Sequence, residues 1–219
     1  MEILSSALKA YVETHTAPEP ELLYHLNRIT RRDHLYPRMV SGHWQGRFLS
    51  FLSKLIQPEF ILEIGTYTGY ATLCFTEGLK PSGKIVTLEI DPELRLIAEQ
   101  YFTAAEKTHQ IDLLNGPALE IIPQLNYPWD MVFIDAEKYE YQDYLIAVLP
   151  QVKIGGVILV DNVLWSGQVA DPSFQDKKTN AIRNFNDWVL TLPELEVIML
   201  PVRDGITLIR KVSDKFIQP

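Results

Sequence analysis

The sequence is short of cysteine, of positive charge and of long apolar runs. Cys74 is the only cysteine, which excludes an internal disulfide and suits a reducing compartment. Lysine and arginine number 20 against 28 aspartates and glutamates, and the formal net charge of −8 argues against binding nucleic acid through its phosphates. The uncharged apolar run at residues 154–160 is too short to cross a bilayer, and residues 1–4 lack the basic start of a signal peptide. We therefore expect a cytoplasmic protein that binds neither nucleic acid nor membrane.

The chain is long enough for one domain with a full hydrophobic core. Its 219 residues are 47% hydrophobic and 22% charged, which is typical of a single globular domain. We interpret residues 1–57, which carry no strand signal, as a helical extension, and residues 58–219 as an α/β core. Helical spacing of apolar residues predicts helices in the extension near residues 2–13, 19–32 and 43–56.

From Phe60 onward, strand and helix patterns alternate, which predicts a parallel sheet with helical crossovers. Continuous apolar runs such as Met131–Ile134 and Val157–Val160 are typical of strands that are covered on both faces. The Asp204–Gly205 pair lies between two strand-like runs and indicates a hairpin, so the last strand is expected to be antiparallel. Strands are predicted at residues 60–64, 84–89, 110–114, 130–135, 155–161, 196–201 and 206–211. Helices are predicted between them at residues 68–79, 92–106, 116–124, 139–150 and 176–191. These patterns predict a Rossmann-like α/β fold with a mostly parallel seven-stranded sheet.

The segment Phe60–Tyr70 is read as a buried strand, a tight turn and the start of a helix. Gly65 and Gly69 bracket the turn, and α/β proteins build nucleotide pockets from these parts. Their spacing matches neither the dinucleotide pattern G-x-G-x-x-G nor the P-loop. Glu89 ends the next strand, where an acid is placed to bond a ribose diol. At this point an NAD-type oxidoreductase and an S-adenosylmethionine-dependent methyltransferase both remain open.

Polar side chains end two later strands of the predicted sheet. Asp135 follows one apolar run, and Asp161 and Asn162 follow the next. Each acid by itself is most simply explained as a strand-end cap, but ligands of open parallel sheets bind at the carboxyl ends of the strands. Two carboxylates and an amide oxygen are hard ligands suited to Mg²⁺, Ca²⁺ or Mn²⁺, and no histidine or cysteine joins them to favour zinc. The spacing therefore predicts a divalent-cation site at Asp135, Asp161 and Asn162.

Lys138 lies three residues after Asp135 and is the candidate general base. A nearby divalent cation and partial burial would both disfavour its charged form, because one repels the ammonium and the other desolvates it. The alternative is an ordinary surface lysine at the start of a helix.

Several ordered motifs together resemble the cation-dependent O-methyltransferases, the family that contains caffeoyl-CoA and catechol O-methyltransferases. The resemblance covers most of the chain, from about Met39 to Lys211. It is carried by the segments Met39–Gly46, Leu62–Tyr70, Leu88–Asp91, Asn115–Leu125, Phe133–Lys138, Asp161–Trp165 and Pro201–Gly205. It implies a class I methyltransferase fold, an S-adenosylmethionine cofactor, a divalent cation and a methyl acceptor that is a catechol-like or caffeoyl-like phenol.

The resemblance also implies roles for individual residues. Glu63, Gly65 and Thr66 would line the methionine end of the cofactor, and Glu89 would hold its ribose. The remaining cofactor contacts would be Met39, Ser41, Tyr67, Thr68, Ile90, Gly116, Pro117, Ala118 and, beside its metal role, Asp135. Asp135, Asp161 and Asn162 would bind the metal, and Lys138 and Asp135 would be catalytic. The acceptor side would include His43, Trp165 and Asp204.

The sequence departs from the family pattern in two places. Glu137 stands where relatives have Asp or Trp, but the metal ligand and the lysine around it are retained. The segment Gly42–Trp44 stands where relatives carry smaller or acidic residues, and it borders the substrate. The resemblance and the apolar helix faces in residues 1–57 favour a homodimer. An NAD-type oxidoreductase and a non-catalytic cofactor-binding protein are the competing hypotheses.

Overall fold

Helices and strands alternate along the computed structural model, which describes residues 4–214. The helices are α1 Ser6–Thr14, α2 Glu21–Asp33, α3 Gly42–Ile56, α4 Tyr70–Thr76, α5 Pro92–Ala104, α6 Ala118–Ile121, α7 Tyr141–Val148 and α8 Lys177–Val189. The strands are β1 Phe60–Ile64, β2 Lys84–Glu89, β3 Ile111–Asn115, β4 Trp129–Ile134, β5 Val152–Asp161, β6 Leu195–Leu200 and β7 Ile206–Lys211. Short 3₁₀ turns lie at Ile122–Gln124, Lys138–Glu140, Leu149–Gln151 and Trp165–Ala170.

The strands form one seven-stranded sheet in the order β3-β2-β1-β4-β5-β7-β6. β1, β2 and β3 pair in parallel, as do β4 and β5, while β7 runs antiparallel to both β5 and β6. The predicted α/β fold with an antiparallel C-terminal strand is therefore confirmed. The hairpin between β6 and β7 is present, and its left-handed positions are Arg203 (φ 56°) and Gly205 (φ 87°).

Two compact units make up the chain: residues 6–118, and the remainder of the described residues. In the first, α4 is buried at every residue and α3 buries one face against the core. In the second, the largest fully buried side chains are Trp129, Phe133, Tyr141 and Phe185. The three N-terminal helices are present, although residues 2 and 3 of the first predicted helix lie outside the described range. Their separation from the core at residue 57 stays a prediction, because the first unit also contains β1, β2 and β3.

Local sequence explains how the elements begin and end. The side chain of Asp91 accepts a hydrogen bond from Glu93 N at 2.8 Å, and Pro92 occupies the first turn of α5, as expected of an N-cap followed by proline. The helix predicted at residues 116–124 is only the four-residue α6 with a 3₁₀ turn after it, because Pro123 cannot donate to a continuing helix. Among residues 4–214, no helix is both long and apolar enough to span a membrane.

Candidate active site

Glu63 is fully buried at the end of β1 and is held by hydroxyl groups. Thr87 Oγ1 donates to Glu63 Oε2 at 2.5 Å, and Thr72 Oγ1 donates to the same oxygen. Thr66 Oγ1 lies 2.5 Å from Thr87 Oγ1, which extends the network into the turn that follows β1. Neutral donors on a buried carboxylate offset part of its desolvation cost. The acid at the end of the first strand is thus fixed in position by its neighbours.

The turn after β1 takes the left-handed backbone that its glycines allow. Gly65 (φ 101°) donates its N–H to Leu88 O at 3.0 Å, which ties the turn to β2. Gly69 (φ 85°) precedes α4, and a Cβ there would lie 2.6 Å from Phe102 Cε1. Both the φ angle and the close approach of Phe102 therefore require glycine. Tyr67 between them also has a positive φ, 52°.

Glu89 at the end of β2 is the second oriented acid of this unit. Its Oε2 accepts from Tyr67 N at 2.7 Å and its Oε1 from Asp91 N at 2.9 Å. Burial raises the pKa of Glu89, and the N–H donors of Asp91, Tyr67 and Ile90 oppose that rise. Each carboxylate oxygen retains acceptor capacity for a further donor. Gly116 N donates to Glu89 O at 2.9 Å, so the end of β3 is fixed beside this acid.

The other predicted cofactor residues of this unit fall into two groups. Ser41 and Thr68 are buried, and Thr68 Oγ1 accepts from Thr30 Oγ1 at 3.1 Å. The apolar side chains of Met39 and Ile90 are 54% and 69% exposed. They are therefore accessible for contact with a flat ring system. Pro117 is exposed, and Ala118 begins α6.

His43 has a partner within its own unit. Its Nε2 lies 2.7 Å from Ala17 O, within hydrogen-bonding distance. This contact joins the first turn of α3 to the segment between α1 and α2. Its assignment to the acceptor side stays a prediction.

In the second unit, parallel pairing aligns the two acids predicted to bind metal. β4 and β5 pair with Ile134 opposite Val160, so Asp135 and Asp161 follow at adjacent positions where these strands end. Asp161 is 1% exposed, and its Oδ1 accepts from Asn162 N at 2.7 Å. Among residues 4–214, no group of three or more histidines, cysteines and acids could hold a metal. A cation site here would therefore need the amide of Asn162 as its third side-chain ligand.

Lys138 is buried between these acids and a tyrosine. Its Nζ lies 3.0 Å from Asp135 Oδ1 and 5.1 Å from the ring centre of Tyr141. Burial acts to lower the pKa of Lys138, but Tyr141 and the carboxylates of Asp135 and Asp161 outweigh it, so the pKa lies above its ordinary value. The expectation of a disfavoured ammonium concerned Lys138 beside a divalent cation, and it stays a prediction.

Tyr141 contacts the predicted site residues but was not itself among them. Its hydroxyl donates to Asp161 O at 2.7 Å, and its ring is fully buried against Phe185 with the centres 5.5 Å apart. Burial raises its pKa, so it stays protonated and acts as a donor. The signal was available, since residues three apart on a helical turn share a face and Tyr141 follows Lys138 by three.

Trp165 and Asp204, the remaining predicted acceptor residues, belong to two loops that contact each other. Trp165 is half-buried, and Asp204 Oδ1 accepts a hydrogen bond from Ser166 N. Lys178 of α8 was not among the predicted site residues, and its Nζ lies 5.8 Å from the ring centre of Trp165 and 3.3 Å from Glu137 Oε1.

Comparisons with known proteins identify the family. A family model described as O-methyltransferase matches residues 13–212. Caffeoyl-CoA O-methyltransferase 2 of Eucalyptus globulus is 38% identical, with 95% of this chain and 90% of the relative covered. Caffeoyl-CoA O-methyltransferase of Petroselinum crispum is 37% identical, with 95% and 92% covered.

Solved structures agree with these sequence relatives. A methyltransferase of Podospora anserina, solved with bound S-adenosylhomocysteine, has a TM-score of 0.87 and 30% identity over 94% of each chain. An O-methyltransferase of Streptomyces achromogenes involved in tomaymycin synthesis, solved with S-adenosylmethionine, has a TM-score of 0.85 and 29% identity over 94% of this chain and 96% of its own. With a family match over residues 13–212 and curated relatives at 37% and 38% identity, this protein belongs to the O-methyltransferase family.

Proposed function

We propose that this O-methyltransferase uses S-adenosylmethionine and a divalent cation to methylate a hydroxyl of a catechol-like or caffeoyl-like phenol. The observation that carries the proposal is the alignment of Asp135 and Asp161 where β4 and β5 end, with Lys138 3.0 Å from Asp135. The curated relatives named caffeoyl-CoA O-methyltransferase support the acceptor class.

The proposed cofactor residues fit S-adenosylmethionine chemically. Glu89 presents a carboxylate oriented by two backbone N–H groups, which suits two ribose hydroxyls as donors. The exposed side chain of Ile90 offers an apolar contact to an adenine. Glu63 and Gly65 would line the methionine end, together with Thr66, Tyr67, Thr68, Met39, Ser41, Gly116, Pro117, Ala118 and Asp135. When bound, the cofactor supplies an electrophilic methyl group.

The donor set of the second unit fits a hard divalent cation. Asp135, Asp161 and Asn162 offer two carboxylates and one amide oxygen, the donors that Mg²⁺, Ca²⁺ and Mn²⁺ prefer. The carboxylate of Asp161 is 1% exposed, and a cation beside it would offset part of the cost of its burial. When bound, such a cation would neutralise the two carboxylates and lower the pKa of a phenol hydroxyl.

Lys138 is the proposed proton acceptor through its Nζ. The carboxylates of Asp135 and Asp161 now support its ammonium form, and burial opposes it. If a cation bound those carboxylates, they would stabilise the ammonium less. The pKa of Lys138 would then fall toward the pH at which it could accept a proton. Trp165, Asp204 and His43 are the acceptor-side residues that we propose from the family resemblance.

The test is methyl transfer to caffeic acid, caffeoyl-CoA and simple catechols, followed by mass spectrometry, with and without EDTA. We expect Asp161→Ala and Lys138→Met to suppress turnover while the affinity for S-adenosylhomocysteine is retained. The matched controls are Asp130→Ala and Lys153→Met, because Asp130 and Lys153 form a 2.6 Å ion pair between the same two strands, outside the proposed site. Full activity of metal-free, EDTA-treated protein would refute the metal role.

Two further measurements address the competing hypotheses. Tight binding of NADH without binding of S-adenosylhomocysteine would favour an oxidoreductase. Cofactor binding without transfer to any phenol would favour a non-catalytic protein. We also propose a homodimer, and light scattering would measure its mass.

A further inference from the structure

The loop that follows β5 has an unusual backbone. Asn162, Trp165 and Ser166 have φ angles of 59°, 47° and 55°, and Gly167 follows at 81°. Only a few per cent of non-glycine residues adopt positive φ, and a bulky residue such as tryptophan is rarer still there. Such residues persist only where the surrounding structure holds them. The loop therefore depends on contacts from outside its own sequence.

The turn between β6 and β7 supplies those contacts. Leu164 N donates to Asp204 O at 2.9 Å, and Val163 N donates to Gly205 O at 3.3 Å. The carboxylate of Asp204 accepts from Ser166 N. The side chain of Leu164 fills the space beside Gly205, where a Cβ would lie 2.4 Å from Leu164 Cγ. One short turn thus holds successive residues on both sides of Trp165.

The rest of the loop is held independently by α8. The guanidinium of Arg183 donates to the main-chain oxygens of Gln168, Val169 and Asp171 at 2.8, 2.9 and 2.6 Å. Loss of the Asp204 contact should therefore loosen the part that precedes Gln168 and leave the part that follows it in place.

We propose that Asp204 is a positioning residue, which holds the left-handed turn at Trp165 and Ser166 and thereby fixes the indole that walls the acceptor. The inference rests on the proposed function in taking Trp165 as that wall. It differs from the role that the family resemblance implied, in which Asp204 itself lies near the substrate. A charge-assisted hydrogen bond to a backbone N–H is strong enough to hold the turn. It also means that one carboxylate oxygen of Asp204 is already occupied within the protein.

Hydrogen–deuterium exchange tests the positioning without any reaction. We expect Asp204→Ala to speed exchange in a peptide that covers residues 163–167 by about ten-fold or more, the scale of losing a hydrogen bond to a charged group. Asp204→Asn keeps an acceptor oxygen in place and should restore most of the protection. The matched control is Asp171→Ala, since Asp171 Oδ1 accepts from Ser173 N at 2.9 Å in the same loop. Unchanged exchange at residues 163–167 in Asp204→Ala would overturn the proposal.

A double-mutant cycle then separates positioning from direct contact. If Asp204 acts through Trp165, Asp204→Ala should lower acceptor kcat/KM in the wild-type background and have little further effect in Trp165→Ala, because coupled residues are not additive. S-adenosylhomocysteine affinity should be the same in all four proteins. Additive losses, with Asp204→Asn as impaired as Asp204→Ala, would instead show that the carboxylate binds the acceptor. If the wild type methylates no phenol, the proposed function fails, and the exchange experiment still decides whether Asp204 holds the loop.

Discussion

Replacing Gly69 by alanine should destabilise the protein for two separable reasons. The first is the backbone, since φ is 85° at Gly69 and left-handed geometry costs an L-residue about 1–2 kcal/mol. The second is packing, since the new Cβ would lie 2.6 Å from Cε1 and 2.9 Å from Cζ of Phe102. Phe102 is 2% exposed, so its ring has little room to move away. Overpacking of this kind costs about 1–3 kcal/mol.

Gly155 isolates the first of these effects. It has the same φ of 85°, but nothing lies within 4 Å of the Cβ that alanine would add. Both substitutions also reduce the entropy of the unfolded chain by a similar amount, about 0.4–1 kcal/mol in favour of the folded state. The difference between Gly69→Ala and Gly155→Ala therefore reports the contact with Phe102, about 1–3 kcal/mol.

Thermal unfolding followed by circular dichroism would measure the difference. For a chain of this length, about 1 kcal/mol shifts Tm by roughly 2–4 °C, so Gly69→Ala should melt about 2–12 °C below Gly155→Ala. Adding Phe102→Leu should recover part of the loss in Gly69→Ala, although it costs stability in the wild type. Equal Tm values for the two alanine variants would refute the packing argument, as would a lower Tm for Gly155→Ala.

Two further predictions concern buried carboxylates. Burial acts to raise the pKa of Glu77, but hydrogen bonds from Arg47 and its neighbours lower it from 4.5 to about 2. The ionised Glu77 therefore stabilises the fold fully above pH 4.5, and this contribution is lost as the pH falls toward 2. In Glu77→Gln, the free energy of unfolding in urea should depend less on pH across that window. The same pH dependence in the variant and the wild type would contradict this. Thr87→Val removes a donor to the buried Glu63 and should cost about 1–3 kcal/mol of unfolding free energy. Thr207→Val is its control, because within residues 4–214 the buried Thr207 Oγ1 has no hydrogen-bond partner, and equal losses in both variants would count against the network.

Short-range sequence patterns predicted the sheet well because they are set by local chemistry. The runs at Met131–Ile134 and Val157–Val160 lie in β4 and β5, and all of their residues except the half-buried Val157 are buried. The antiparallel final strand followed from a turn signal at Asp204–Gly205. β5 nevertheless begins at Val152, earlier than predicted. Its register with β4 shifts between Trp129 and Met131, and this irregularity accommodates the positive φ of Gly155 within the strand.

The candidate site was harder to derive, because its residues act through partners distant in sequence. Ser166 and Asp204 are 38 positions apart, and the bond joins a side chain to a backbone N–H, which no spacing rule anticipates. Arg183 likewise binds main-chain oxygens whose positions depend on the folded loop. The carboxylates that act on the pKa of Lys138 include that of Asp161, which the fold rather than the local sequence brings near it.

Two Asp–Lys pairs, one between β4 and β5 and one just after β4, show what the fold adds to composition. Asp130 and Lys153 pair at 2.6 Å, and Asp135 and Lys138 pair at 3.0 Å. Chemically the pairs are alike, but Asp130 lies at the start of β4 and Asp135 just past its end. The side chain of Lys138 is 9% exposed and that of Lys153 is 38% exposed. Lys138 is therefore the more desolvated of the two lysines, and its pKa responds more strongly to a charge placed nearby. Strand direction, together with burial, therefore decides which pair is a candidate for catalysis, because ligands of a parallel sheet bind where its strands end.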